Sequence, residues 1–141
     1  MYFPDLNFWI ALTYAAHQHH EAAARWFARV NDQAYFCRVT QLGFLRLLTH
    51  PQVMQNEVKN QQQAWSTYDL LLTDERISFH TEPESNQLEQ AWRSLSSGRR
   101  SASMQWPDTY LAAFASAAGL RVVTFDRGLH QLSGPSSVLL S

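Results

Sequence analysis

The segment WPDTYLAAFASAAGLRVVTFDRG, residues 106–128, carries the clearest sign of the fold class. Residues 108–118 are apolar at helical spacing, and Gly119 is a natural residue for the end of a helix. An apolar strand follows at 121–125 and leads directly into Asp126. Because a helix that runs into a buried strand is the repeating unit of a parallel sheet, this segment predicts an α/β fold.

The same alternation of strands and helices extends over the rest of the chain. Further strands are predicted at 2–5, 34–37, 76–80 and 137–140, and further helices at 8–12, 19–30, 41–49, 56–72 and 82–95. Asn7 and Thr40 are the expected N-caps of the first and third helices. We therefore predict a three-layer α/β/α architecture with a central, mainly parallel sheet, and a single domain over residues 1–141. Ligands of such sheets bind at the carboxyl ends of the strands.

Composition limits the classes of function. The 141 residues carry a net charge of −1, so the chain lacks the strong basic field of many nucleic-acid-binding proteins. A single cysteine excludes an internal disulfide framework and a cysteine-based zinc cluster. No apolar run is long enough for a membrane span, and no signal peptide is visible. We expect a cytoplasmic protein that is not bound to a membrane.

Three acids, Asp5, Asp108 and Asp126, stand in apolar sequence, and two of them follow predicted strands. Carboxylates in such surroundings need a partner, and oxygen ligands favour Mg²⁺ or Mn²⁺. Asn7 and Thr124 would then hold the carboxylates or a water molecule from behind. In the alternative interpretation the acids are ordinary helix caps or turn residues. A phosphatase with a nucleophilic Asp is disfavoured, because that class has a second Asp where Asn7 stands.

Four segments together resemble the PIN-domain ribonucleases, and in particular the VapC-type toxins of type II toxin–antitoxin systems. They are PDLNFWIAL at 4–12, VTQLGFLRLLTHP at 39–51, WPDTYLAAFA at 106–115 and VTFDRGL at 123–129. The segments occur in the family's order from about residue 2 to residue 139. The resemblance implies a PIN-like fold over nearly the whole chain.

This resemblance also implies an activity and its partners. It implies a Mg²⁺- or Mn²⁺-dependent endoribonuclease in which Asp5, Asp108 and Asp126 bind the metal and water attacks the RNA phosphodiester. It further implies a homodimer that is neutralised by a VapB-type antitoxin. The family usually has a Glu at the start of its third helix, where Gln41 is the nearest match in this chain. The missing charge leaves open a PIN-like module that binds RNA or protein with weak or no catalysis.

Several further residues are candidates for contact with RNA. Arg46 lies in an apolar helix segment, and Arg99 and Arg100 lie in a loop rich in Ser and Gly. We expect these side chains to hold RNA phosphates and Trp106 to stack on a base. In the alternative interpretation the arginines are solvated and Trp106 belongs to the core.

The chain is rich in aromatic residues, with 5 Trp, 5 Tyr and 8 Phe. The first two predicted helices carry Phe8, Trp9, Leu12, Trp26 and Phe27, more apolar surface than a single core-facing stripe requires. We expect part of this surface to form a groove for the antitoxin. The alternative is that these side chains pack inward or join two copies of the chain.

Overall fold

A computed structural model describes residues 1–141 and contains one parallel sheet of five short strands. The strands are β1 (Tyr2–Pro4), β2 (Ala34–Phe36), β3 (Ile77–Phe79), β4 (Arg121–Thr124) and β5 (Val138–Leu139). The helices are α1 (Leu6–Thr13), α2 (His20–Arg29), α3 (Arg38–Leu48), α4 (Pro51–Met54), α5 (Gln61–Leu71), α6 (Ser85–Leu95), α7 (Trp106–Ala118) and α8 (Arg127–Ser133). The strand order is β3-β2-β1-β4-β5.

Two apolar clusters lie on opposite faces of the sheet and define three layers. Side chains alternate along β4, so Val122 joins one cluster and Val123 joins the other. One cluster packs α1, α2, α3 and α5 against the sheet, and the other packs α6, α7 and α8. The predicted three-layer α/β/α architecture is confirmed.

Several helix boundaries differ from the sequence prediction. The N-cap of α1 is Asp5 rather than Asn7, because the Asp5 carboxylate accepts a hydrogen bond from the Phe8 N–H. The N-cap of α3 is Cys37 rather than Thr40, because the Thr40 hydroxyl accepts a hydrogen bond from the Cys37 N–H one turn earlier in the chain. Both helices therefore begin closer to the ends of their strands than predicted.

Two helical regions were predicted incorrectly. The segment 56–72 is not one helix: a 3-10 turn (Gln55–Glu57) precedes α5, whose first turn is closed by a capping box between Asn60 and Gln63. Helix α8 was not predicted at all. It follows β4 directly and is capped by Asp126.

The first helices do not expose the apolar groove expected from their composition. Phe8 and Trp9 are fully buried and Phe27 is buried, so the sequence-based expectation is wrong for these three residues. The Trp9 ring stacks on Phe36 with 4.0 Å between ring centroids. A helix that is apolar on most sides is buried on most sides, and α1 lies between the sheet, α2 and α3. No helix of the chain combines the length and the apolar character required to cross a bilayer.

Strand register brings the strand ends to a common level, which we call the carboxyl edge. Tyr2 of β1 is paired with Ala34 of β2 and with Arg121 of β4. By this register Asp5 lies level with Cys37 on one side and with Thr124 on the other. The carboxyl edge therefore gathers side chains that are far apart in the sequence.

Candidate active site

Asp5 is the most deeply buried acid at the carboxyl edge, with only 6% of its surface exposed. Its Oδ1 accepts a hydrogen bond from the Phe8 N–H at 2.9 Å, and its Oδ2 accepts one from the Thr124 hydroxyl at 2.6 Å. The Thr124 contact spans 119 residues of sequence, because β1 and β4 are neighbours in the sheet. Both carboxylate oxygens are thus fixed in position, while each retains a lone pair.

Asp126 is exposed and is oriented by the start of α8. Its Oδ1 accepts hydrogen bonds from the Gly128 N–H at 2.7 Å and the Leu129 N–H at 3.3 Å. A Cβ at Gly128 would lie 3.1 Å from this oxygen, so glycine allows the close approach. The Asp126 N–H donates to the Thr124 hydroxyl oxygen at 2.9 Å. Thr124 therefore connects the backbone of one acid to the carboxylate of the other.

Asp108 lies in the first turn of α7, after Pro107, and is partly buried. A carboxylate at this end of a helix is favoured by the helix dipole. Neither of its oxygens accepts a hydrogen bond from the protein, in contrast to those of Asp5. Asp108 is therefore the acid of the three that is least constrained by the protein.

The charges of the three carboxylates affect one another's pKa values. Burial raises the pKa of Asp5 to about 6, although its two hydrogen bonds oppose the change. The charges of Asp108 and Asp126 raise the pKa of Asp5 further. Burial also raises the pKa of Asp108, and the charge of Asp126 adds to this effect. The folded chain thus holds negative charges together at a cost that a nearby cation would reduce.

The donor set suits a hard divalent cation, since it consists of carboxylate oxygens with free lone pairs. No group of three or more His, Cys, Asp or Glu side chains is drawn together tightly enough to enclose a metal ion. Asp5, Asp108 and Asp126 repel one another electrostatically, but they lie farther apart than the ligands of one metal ion do. A cation bound among them would relieve the burial of Asp5 and the repulsion between the acids.

Gln41 is buried at the start of α3 and has a strong hydrogen bond of its own. Its side-chain oxygen accepts from the Arg38 guanidinium at 2.6 Å. It also lies near the Tyr68 hydroxyl, and this interaction opposes the rise that burial causes in the Tyr68 pKa. Arg38 was not predicted as a functional residue from the sequence. Had α3 been predicted to begin at residue 38, the spacing of three residues would have placed Arg38 and Gln41 next to each other on the helix.

The remaining candidates lie at varying distances from this centre. Asn7 is exposed in the first turn of α1 and makes no hydrogen bond to the three acids. Arg46 is exposed two turns beyond Arg38, in a groove between α3 and α5 that Leu42 and Trp65 also line. The roles expected for Asn7 and Arg46 stay predictions.

Arg99, Arg100 and Trp106 come together around a cavity of about 730 Å³ before α7. Both arginines are exposed, and 54% of Trp106 is accessible to solvent. The Trp106 ring packs edge-on against Trp92, whose Nε1–H donates to the Thr109 hydroxyl at 3.1 Å. Thr109 also lines the cavity, so these three candidates lie around the start of the helix that carries Asp108.

Comparisons with known proteins extend over nearly the whole chain. Residues 2–135 match the family model described as PIN domain. The chain is 36% identical over 143 aligned residues to Ribonuclease VapC41 of Mycobacterium tuberculosis, and the alignment covers 97% of each chain.

Solved structures share the fold at lower identity. The Mycobacterium tuberculosis VapC20, a sarcin–ricin loop cleaving toxin, superposes with a TM-score of 0.68 at 19% identity, covering 96% of this chain and 98% of that one. The VapBC2 complex of Rickettsia felis, bound to a DNA fragment from its promoter, superposes with a TM-score of 0.64 at 15% identity, covering 98% and 96%.

Proposed function

The chain belongs to the PIN-domain family, and on that premise we propose that it is a divalent-metal-dependent endoribonuclease toxin of the cytoplasm, neutralised by an antitoxin. The observation that carries this proposal is the buried Asp5 carboxylate, whose pKa is raised to about 6 beside two further acids. Carboxylates held together at such a cost are typical of functional sites, and a bound cation would offset their repulsion.

The acids have distinct roles in the proposed mechanism. Asp5 is the fixed ligand, because Thr124 and the Phe8 N–H hold both of its oxygens. Asp126 offers its second oxygen, and Asp108 offers both of its oxygens. A bound Mg²⁺ or Mn²⁺ would supply charge neutralisation at the phosphate and a lower pKa for the attacking water. These carboxylates orient that water toward the scissile phosphodiester, and no covalent enzyme intermediate is required.

The substrate is RNA that reaches the acids over the carboxyl edge. Arg99 and Arg100 hold phosphates beside the entrance to α7, and Trp106 stacks on a base near Asp108. The exposed Trp106 ring and the unpaired arginines around one cavity support this assignment.

The partners are a VapB-type antitoxin and a second copy of the chain. Antitoxin recognition is proposed by analogy with the Rickettsia felis complex. For the homodimer, the exposed side chains of Leu42 (66%) and Trp65 (49%) form an apolar face on α3 and α5. Leu42→Ser with Trp65→Ser should yield monomers in analytical ultracentrifugation, whereas Leu70→Ser, an equally exposed change on another side of α5, should not.

One observation favours a second function, that of an RNA-binding module with weak or no catalysis. Gln41 stands where the family usually has a Glu, and its side-chain oxygen faces a guanidinium. With one carboxylate fewer, the site has lower affinity for a divalent ion.

A metal titration with single-stranded RNA separates these two functions. The endoribonuclease should cleave in Mg²⁺ or Mn²⁺, stop when EDTA is added and resume when the ion is restored. RNA binding without cleavage at any metal concentration would favour the binding module. A chain that neither binds nor cleaves RNA would contradict both proposals.

A further inference from the structure

We propose that Arg38, held in place by Gln41 and Phe79, binds an RNA phosphate at the carboxyl edge, beside the three acids. This assignment rests on the proposed function, because it concerns the same RNA substrate. It gives the substitution at Gln41 a specific role, namely that a neutral amide leaves the charge of Arg38 available for RNA.

Two contacts fix the Arg38 guanidinium without neutralising it. One Nη1–H donates to the Gln41 side-chain oxygen at 2.6 Å, and the guanidinium carbon lies 4.6 Å from the centroid of the Phe79 ring. Arg38 is in no ion pair, unlike Arg76 and Arg93. Its other donors form no hydrogen bond with the protein, although a guanidinium has five. The group is therefore ordered, cationic and available to an anion.

Charge explains why the residue at position 41 matters. A Glu at this position would accept the same hydrogen bond as a carboxylate and would pair with Arg38. The pair would then be close to neutral, whereas the Arg38–Gln41 pair carries a full positive charge. Two oxygens of a phosphate match the planar guanidinium, so this arrangement suits a phosphate group of the RNA substrate.

Strand register gives the location of Arg38 relative to the acids. Tyr2 pairs with Ala34, so Asp5 lies level with Cys37, and Arg38 follows Cys37 directly. Adjacent strands lie about 4.8 Å apart, and Phe79 belongs to β3, so the Arg38 guanidinium lies on the β3 side of β2, about two strand spacings from the strand that ends at Asp5. Arg38 is also the first residue of α3, where the helix dipole adds to the attraction of an anion. An RNA strand whose scissile phosphate lies at the acids would present a neighbouring phosphate to Arg38.

The test measures binding of a fluorescein-labelled single-stranded RNA to the full chain by anisotropy, in EDTA so that no cleavage occurs. Arg38→Ala should weaken binding about tenfold, because a charge-assisted hydrogen bond to phosphate is lost. The slope of log affinity against log salt should also fall by about 0.7, the value for one phosphate contact on a single strand. Arg38→Lys should retain the salt slope with part of the affinity.

Two further variants separate charge from structure. Gln41→Glu should weaken RNA binding as Arg38→Ala does, because the new carboxylate pairs with Arg38. Arg29→Ala removes an exposed arginine at the end of α2, near the opposite edge of the sheet, and should leave affinity and salt slope as in the wild type.

The outcomes distinguish this inference from the proposed function. If the wild type binds and cleaves RNA while Arg38→Ala keeps its affinity and salt slope, the Arg38 anchor is overturned and the ribonuclease stands. Tighter Mn²⁺ binding by Gln41→Glu with unchanged RNA affinity would place Gln41 in the metal site and overturn the anchor. A wild type that neither binds nor cleaves RNA overturns both.

Discussion

Two strand–helix junctions at the carboxyl edge have the same backbone plan and opposite charge. At the β1–α1 junction the N-cap is Asp5, and both of its oxygens are held by hydrogen bonds. At the β2–α3 junction the N-cap is Cys37, and the next residue is the cationic Arg38. The register places Asp5 and Cys37 level in adjacent strands.

This difference shows how one edge of a sheet can serve two kinds of ligand. The first junction concentrates negative charge and suits a divalent cation. The second junction, with Gln41 in place of an acid, keeps its positive charge for an anion. A metal-assisted nuclease needs both, because it must bind a metal ion and a polyanion side by side.

The largest expected effect comes from removing charge at the acidic junction. Asp5→Asn should lower the rate of RNA cleavage by about a hundredfold or more, and Asp108→Asn and Asp126→Asn should do the same. Each change removes a charge with little change in volume. Cys37→Ser, which keeps an N-cap at the other junction, is the matched control and should cleave normally. Wild-type rates in two of the three Asn variants would contradict a carboxylate site.

The second-largest expected effect is a change in folding stability that depends on the protonation of Asp5. Asp5 has a folded pKa of about 6 against an ordinary value of 3.8, so the folded chain binds this proton more tightly than the unfolded chain. The resulting stabilisation is complete below pH 3.8 and is lost as the pH rises through 6. Asp5→Asn removes this dependence.

Without metal, Asp5→Asn should therefore unfold at higher urea concentration than the wild type at pH 7.5. The difference in unfolding free energy should approach about 3 kcal/mol and should shrink toward pH 4. Asp69→Asn, an exposed change on α5, is the control. A less stable Asp5→Asn variant at pH 7.5 would show that the Asp5 charge is not strained in the folded chain.

A smaller effect is expected at the cavity before α7, which Arg99, Arg100 and Trp106 line. Trp106→Ala should weaken RNA binding about tenfold through the loss of base stacking, and Trp106→Phe should restore most of it. Arg99→Ala and Arg100→Ala should each reduce the salt dependence of binding. Equal affinity of Trp106→Ala and the wild type would assign this ring to the packing of Trp92 alone.

The smallest expected effect tests whether the two junctions are electrostatically separate. Asp108→Asn should lower the pKa of Asp5, because one of two repelling charges is removed. Arg38→Ala should leave the pKa of Asp5 unchanged, since the guanidinium is held against Phe79 of β3 and Gln41, on the side of β2 away from Asp5. Carbon-13 NMR of the Asp5 carboxyl group measures this pKa in both variants. An equal shift in the two variants would mean that the junctions form one charged network.

Much of the fold was predictable because apolar periodicity and helix-end residues indicated the same elements. The helix before Gly119 and the strand after it follow from apolar periodicity and a positive-φ helix end, and Gly119 has φ of 69°. Helix α8 was missed because Asp126-Arg127-Gly128 also has the composition of a turn. Only the β4 strand end and the hydrogen bonds from the Gly128 and Leu129 N–H groups distinguish the two.

The site was predictable in its residue types but not in its connections. Acids in apolar sequence pointed to Asp5, Asp108 and Asp126. The bond from Thr124 to Asp5 depends on pairing between strands far apart in the sequence, which periodicity does not contain. Trp9 was misjudged for a related reason. Its burial depends on how many elements surround α1, and sequence gives only the apolar character of that helix.

Calorimetric titration of the metal-free chain with Mn²⁺ tests the central claim most directly, because it measures the cation site independently of RNA. The wild type and Arg38→Ala should bind Mn²⁺ with the same affinity, and Asp5→Asn should lose most of that binding. A wild type without measurable Mn²⁺ binding, or an Asp5→Asn variant that binds as tightly as the wild type, would contradict the assignment of the acidic junction to a divalent cation.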